Sequence, residues 1–361
     1  MILRRTIVSL LLALAATGAD AALPTPPPGE LSRVDSTFDT ALTRILHLSE
    51  SGRYDAAFAV CDSLRQALPD HPGPYLTTAG VYVSWMQSYR LNDFQSEVDD
   101  NAQRAIDTGT QLLASKPDAL LGFYVGSAYG YRALSRLRRH NWIGALLDGR
   151  RSNEHLKTAV KLDPQLYDAY FALGGYHYWR TARSTFIRSV AFWMPDRREL
   201  GLQQMQLAVD HGRYVQTSAL HGLALARLDA GDIDGALVAN TQVIAMVDPP
   251  TNGSLYTRGR LLAQLQDWPG VEQTFTRLLA RLTPRSVGYQ VECMYWIARA
   301  LTAQGRPDEA RKLVDAAWEQ NARRQAEEEI ESALESYDTI LQWLQALTDS
   351  LASTSGSAPS K

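Results

Sequence analysis

The chain has 361 residues, of which 45% are hydrophobic, 21% charged and 9% aromatic, and its formal net charge is −3. Average glycine and proline content, two cysteines and a mean hydropathy of −0.23 exclude a collagen-like or disordered chain, a disulfide scaffold and a polytopic membrane protein. The mild acidity also speaks against nucleic acid as a partner. At the N-terminus, residues 1–21 read as a signal peptide. Arg4 and Arg5 precede a short apolar run over 6–16, and Ala19-Asp20-Ala21 is a small-x-small cleavage site. The run is shorter than the roughly 20 residues that a membrane span needs, and no cysteine follows the cleavage site to carry a lipid. The expectation is an exported chain, periplasmic or secreted. Residues 22–35, with four prolines between Pro24 and Pro28, read as an extended spacer.

From residue 36 onward apolar residues recur at three and four, alternation of period two is absent, and turn punctuation returns every 35 to 48 residues. SGRYDAAFAVCDSLRQALP reads as a first helix pair, with Gly52, Tyr54 and Ala57 in place and Pro69 closing the unit. In the middle of the chain the helices lengthen. Gly126 and Ser152, the expected small residues of one pair, stand 26 apart, and HLKTAVKLDP closes that pair at Pro164. In the next pair Gly174 and Gly201 stand 27 apart, which places an insertion at about 182–196. ALHGLALARLDAGDIDGALVANTQVIAMVDPP is the clearest unit: Gly231 and Asp232 start its turn and Ala236 is its small residue. Two more units follow, with Gly259, Trp268, Phe275 and Pro284 in one and Ala298, Gly305, Ala310 and Ala317 in the other. Residues 321–351 are expected to form one capping helix, with Ile330, Leu334, Tyr337, Leu341, Leu344 and Leu347 on an apolar stripe and glutamates on a solvated face. Residues 352–361 read as a disordered tail.

Aligned on their first helices, the units place Gly80, Gly126, Gly174, Ala224, Gly259 and Ala298 at one crossing position, where small side chains let helix axes approach closely. On these residues the chain resembles the tetratricopeptide repeat family, of an exported bacterial type, over about 38–320. The resemblance implies an all-α fold: a right-handed α-solenoid of about seven helical hairpins over 36–320, with the capping helix after it. It implies no activity of its own. In such repeats the first helices line a concave face, and the family's contact positions fall here on Phe123, Tyr131, Phe171, Trp179, His221, Tyr256, Arg260, Tyr295 and Arg299. Aromatic and arginine side chains are the types that carry interface energy, so the resemblance implies a protein or peptide partner in an aromatic groove. Packing between repeats is the other use for the same rings.

The insertion is a second candidate site. As a helix it places Phe186 and Trp193 on one apolar face, which Arg183 interrupts, with Arg188 opposite and Phe192 beside Trp193. It reads as a lid over the groove, a contact with a lipid or membrane surface, or a segment docked on its own repeat. The alternative function is therefore a small-molecule or lipid-binding accessory protein. Residues 132–198 carry a net charge of +8 and residues 306–350 a net of −6, a polarity suited to an acidic partner or to self-association. No enzyme is expected: the histidines are scattered, and there is no HExxH, glycine-rich phosphate loop or GxSxG. No cofactor and no metal are expected. Cys61 and Cys293 lie far apart at helical positions and read as buried free thiols.

Overall fold

The computed structural model describes residues 36–182 and 196–355. The signal peptide, the spacer and the inserted residues Arg183, Phe186, Arg188, Phe192 and Trp193 lie outside the described residues. Among the described residues there are fifteen α-helices, and the only β-pairing is one isolated bridge. In chain order they are α1 (Ser36–Glu50), α2 (Tyr54–Ala67), α3 (Pro72–Tyr89), α4 (Gln95–Leu113), α5 (Ala119–Arg138), α6 (Trp142–Leu162), α7 (Asp168–Ala182) and α8 (Arg198–His211). They continue as α9 (Gln216–Ala230), α10 (Ile233–Met246), α11 (Asn252–Gln264), α12 (Trp268–Leu279), α13 (Val287–Ala303), α14 (Pro307–Asn321) and α15 (Tyr337–Ser355). Over the described residues the fold is all-α, seven successive helix pairs and a terminal helix. It divides into unit 1, Met1–Trp85 with Phe94–Ala226, and unit 2, Met86–Asp93 with Arg227–Lys361. No described helix is long and apolar enough to cross a membrane.

Within unit 1, α1 packs on α2, α5 on α6 and α7 on α8; within unit 2, α11 packs on α12 and α13 on α14. Second helices bury one narrow stripe. On α2 it is Ala57, Cys61 and Leu64, and on α14 it is Ala310, Val314 and Ala317, both at i, i+4 or i+3, and i+7. First helices are enclosed on more sides: in α13 every residue from Val287 to Cys293 is buried. Both cysteines are free and buried, and burial pushes the Cys61 thiol up to about 11.

The small residues sit where helices cross. A Cβ on Gly174 would lie 2.7 Å from the Gly201 carbonyl oxygen and 2.9 Å from the Met205 amide nitrogen. Only two facing glycines admit α7 and α8 at that distance. Gly126 meets Leu156 and His155 of α6, and Gly259 lies under the ring of Phe275 on α12. Gly80 departs from the expected register. It faces the Tyr131 ring of α5, while its neighbour Ala79 is fully buried. One residue along a helix is a turn of about 100°, enough to move a position from one packing surface to the next.

The end of the chain corrects the expected capping helix over 321–351. α14 stops at Asn321, residues 322–336 are irregular apart from a 3₁₀ turn at Ala326–Glu328, and α15 begins only at Tyr337. It then runs through Ser355, into the stretch expected to be a disordered tail; residues 356–361 lie outside the described residues. The glutamates decide this. Glu329 accepts from the Arg324 guanidinium (2.6 Å) and from the Gly288 amide (2.7 Å), and Glu335 pairs with Arg260. A continuous helix offers no such bonds, so tertiary contacts outweigh the good helix propensity of glutamate. Much of the expected apolar stripe still packs inward: Tyr337 and Leu344 are buried on α15, Leu341 and Leu347 pack against the same core, and Leu334, ahead of the helix, packs on that core and on Leu228, Ala236 and Leu261.

Candidate functional site

Unit 1 contains a cavity of about 1070 Å³, partly open to solvent. Its walls come from α1 (Phe38, Leu42), α3 (Gly80, Val81), α5 (Phe123, Tyr131), α6 (Trp142, Leu146), α7 (Phe171, Trp179) and the turn before α9 (Tyr214). The length of the central hairpin makes the depth. α5 and α6 have 20 and 21 residues, or about 30 Å of helix each. Tyr131 and Leu134 near the end of α5 and Trp142 and Leu146 at the start of α6 therefore lie beyond the crossing and face the cavity. Gly175 and Gly130 also line it, and a Cβ on Gly175 would meet nothing within 4 Å.

The charged side chains in the wall are all engaged. Arg213 pairs with Asp39 at 2.7 Å, and the Tyr214 hydroxyl donates to the same carboxylate at 2.6 Å. Asp168 accepts from the backbone amides of Tyr214 (2.8 Å) and Val215 (3.0 Å). Asp163 accepts from the Gln165 amide. Burial lifts the pKa of the Glu50 carboxyl, against the opposing pull of the Thr217 hydroxyl and of His47. What the wall offers a ligand is thus apolar and aromatic surface with hydroxyls such as Ser127 and Ser218.

Four of the expected contact residues, Phe123, Tyr131, Phe171 and Trp179, converge on this cavity. His221 does not line it. Its ring is held neutral, with burial pushing its pKa down to about 4, and its buried Nδ1 has no partner among the described residues. The other four lie in unit 2 and have a different environment. Tyr256, Arg260 and Tyr295 are buried. Arg299 stays exposed, donates to the Tyr295 hydroxyl at 3.0 Å and lies over Trp268 and Trp296.

Those unit 2 residues belong to a polar network. Glu292, on α13, accepts from Arg90 at 2.6 Å and from the Tyr256 hydroxyl at 3.0 Å. The Arg90 guanidinium itself lies over the rings of Tyr289 (3.7 Å) and Tyr256 (4.4 Å). Arg260 donates to the Tyr256 oxygen at 2.8 Å and grips Glu335 with both terminal nitrogens. Burial works against the charge of both arginines, but Glu292 beside Arg90, and Tyr256 and Glu335 beside Arg260, hold both firmly protonated. Burial and the adjacent Glu292 push the Tyr256 hydroxyl up to about 12. Arg90, Glu292 and Glu335 were not among the expected site residues. A lone carboxylate in VGYQVECMYWIARA was the available signal, because a buried acid needs a partner.

Part of the charge polarity of the chain is used internally. In the basic stretch Arg132 donates twice to Asp148, which is fully buried and also approached by Arg136 at 2.9 Å. In the acidic stretch Glu309, Glu328, Glu329 and Glu335 all pair with arginines.

No family model matches this sequence, and no curated protein matches it. Among solved structures it is similar to PilW, a widely conserved type IV pilus biogenesis factor (11% identity, 85% of this chain and 100% of that one, TM-score 0.39). It is likewise similar to the C-terminal part of a repeat-containing protein from Cytophaga hutchinsonii (16% identity, 79% and 97%, TM-score 0.42) and to yeast Tom70 (13% identity, 89% and 85%, TM-score 0.35). Similarity at this level says nothing of function, and the hairpin geometry described above stands without it.

Proposed function

For a chain built of tetratricopeptide-type hairpins, we propose that unit 1 is a non-enzymatic binding module, which holds an apolar segment of a partner polypeptide in its groove. One observation carries the reading. The cavity of about 1070 Å³ stands at the upper end of the roughly 300–1,000 Å³ of small-ligand pockets, and its lining is mostly apolar, with Phe123, Tyr131, Phe171 and Trp179 converging on it. Several consecutive side chains of one segment fill such a space, and recognition is by shape and apolar contact. The leader-like residues 1–21 support an exported place of work.

Photo-crosslinking from Gly175 tests this, because a side chain there enters open space. The expected products are protein adducts that disappear with Phe171→Ala/Trp179→Ala while the melting temperature stays within a few degrees. Adducts unchanged by that double substitution would overturn the reading. A second reading, a lipid-like small molecule, is favoured by the same mostly apolar lining. It predicts an extractable apolar compound on the purified protein and no polypeptide adduct.

A further inference from the structure

We propose that unit 2 carries a recognition face for an extended acidic polypeptide segment, and that the chain's own residues 326–335 occupy it until a partner segment displaces them. This site is built from unit 2 residues alone, and the proposal does not depend on the reading of the unit 1 groove.

The seated segment shows how the face reads a peptide. Its backbone pairs with the turn after α3 as a short antiparallel bridge, Leu91 opposite Glu329. Asn92 donates to the Glu328 carbonyl at 2.7 Å and Ile330 donates to the Arg90 carbonyl at 2.9 Å. Such main-chain bonds hold an extended peptide whatever its side chains, and pockets for alternate side chains select among peptides. Here Glu329 enters a cradle made by the Gly288 amide and Arg324, Ser332 bonds the Tyr256 hydroxyl at 2.9 Å, and Glu335 takes both terminal nitrogens of Arg260. Leu334 packs with Leu228, Ala236 and Leu261. The pattern is Glu-Ile-x-Ser-x-Leu-Glu.

Charge complementarity identifies the occupant. Arg260, Arg285 and Arg324 pair with carboxylates of the segment, while on the receptor side Asp93 shares Arg285 and Glu292 is taken up by Arg90. The arginines are positioned from behind, Arg260 by Trp296 at 4.8 Å and Arg324 by Tyr337 at 3.7 Å. A bidentate guanidinium–carboxylate pair is selective in direction and geometry. The segment itself has no hydrogen-bonded helix beyond one 3₁₀ turn, and Glu327, Glu331 and Ala333 are exposed. It is held by the face rather than by its own structure, which makes exchange for a similar segment feasible.

The test uses the full chain, with residues 326–335 replaced by a glycine–serine linker of equal length, and a fluorescent peptide of sequence QAEEEIESALES as probe. The replaced-linker protein is expected to bind the peptide saturably and at least tenfold more tightly than the wild type. Binding should be lost with Arg260→Met in the same background, and a probe with every Glu changed to Gln should not bind. A folded replaced-linker protein that does not bind the probe, binds it independently of Arg260, or dimerises without affinity for it overturns the proposal. Should that variant fail to fold, hydrogen exchange on the wild type decides. An Asn92 amide that exchanges faster than those of α11 and α13 and is protected by added probe, while the Ile330 amide of the displaced segment is exposed by it, supports displacement. Amides that exchange only with the whole of unit 2 overturn it.

Discussion

At the scale of single residues, adjacent glycines in α7 do opposite work. Gly174 is needed because a methyl group there meets the backbone of α8, so Gly174→Ala is expected to cost about 1–3 kcal/mol by overpacking. Gly175 lines the groove, and Gly175→Ala should stabilise by about 0.5–1 kcal/mol, because the unfolded chain loses freedom while nothing clashes. Denaturant melts of the two variants compare them directly. His221 gives a pH dependence. Its native pKa, near 4, is below the ordinary 6.5 because burial disfavours the charged ring. The unfolded state therefore takes up the proton first, and stability present above pH 6.5 is lost as the pH falls toward 4. With His221→Gln, the loss between pH 7 and pH 4.5 should shrink by about 2 kcal/mol relative to wild type. Equal losses in the two proteins would show that the ring is solvated in the native state.

At the scale of elements, one turn is used six times. After α1, α3, α5, α9, α11 and α13 the chain passes through a left-handed residue, at Gly52, Arg90, His140, Gly231, Gln266 and Gly305. In each the next amide bonds back to the carbonyl five residues earlier, as Asp232 does to Arg227 and Asp267 to Leu262. Asn141, Asp232 and Asp267 then cap the following helix by accepting from the amides of Gly144, Gly235 and Gly270. Glycine is indifferent to this conformation and a side chain is not. Gln266→Gly should therefore stabilise by a few tenths to about 1 kcal/mol. Arg90→Gly relieves the same strain but leaves Glu292 buried without its guanidinium, and should destabilise by about 3–5 kcal/mol. Thermal melts with opposite signs at two equivalent turns would separate backbone strain from ion-pair loss.

At the scale of the whole molecule, the two units present surfaces of opposite chemistry. Unit 1 has a mostly apolar, aromatic groove with few charged side chains in its wall, and unit 2 has buried arginines that need a carboxylate. Salt distinguishes them. Partner affinity for the unit 1 groove should change less than about threefold between 0.05 and 0.5 M salt, since screening acts on charge and not on apolar burial. The unit 2 face, read with the acidic probe, should weaken by tenfold or more over the same range. A steep salt dependence at the groove would mean that its partner finds charges outside the wall described here.

The sequence by itself determined the repeating hairpins, their small crossing residues and the place of the long central pair. These are local properties: a helix stripe has its period in the chain, and close axes require a missing side chain at Gly126, Gly174 and Gly259. It also contained four side chains of the groove, because the first-helix register carries over from one hairpin to the next. Only the tertiary structure decided the rest. Trp142 and Leu146 enter the cavity from a second helix, and the phase that brings them there depends on how far α5 and α6 extend past their crossing. Residues 322–336 have the composition of a helix and do not form one, because Arg260, Arg324 and the Gly288 amide, remote in the chain, bind their glutamates more strongly than an isolated helix gains from its own turns.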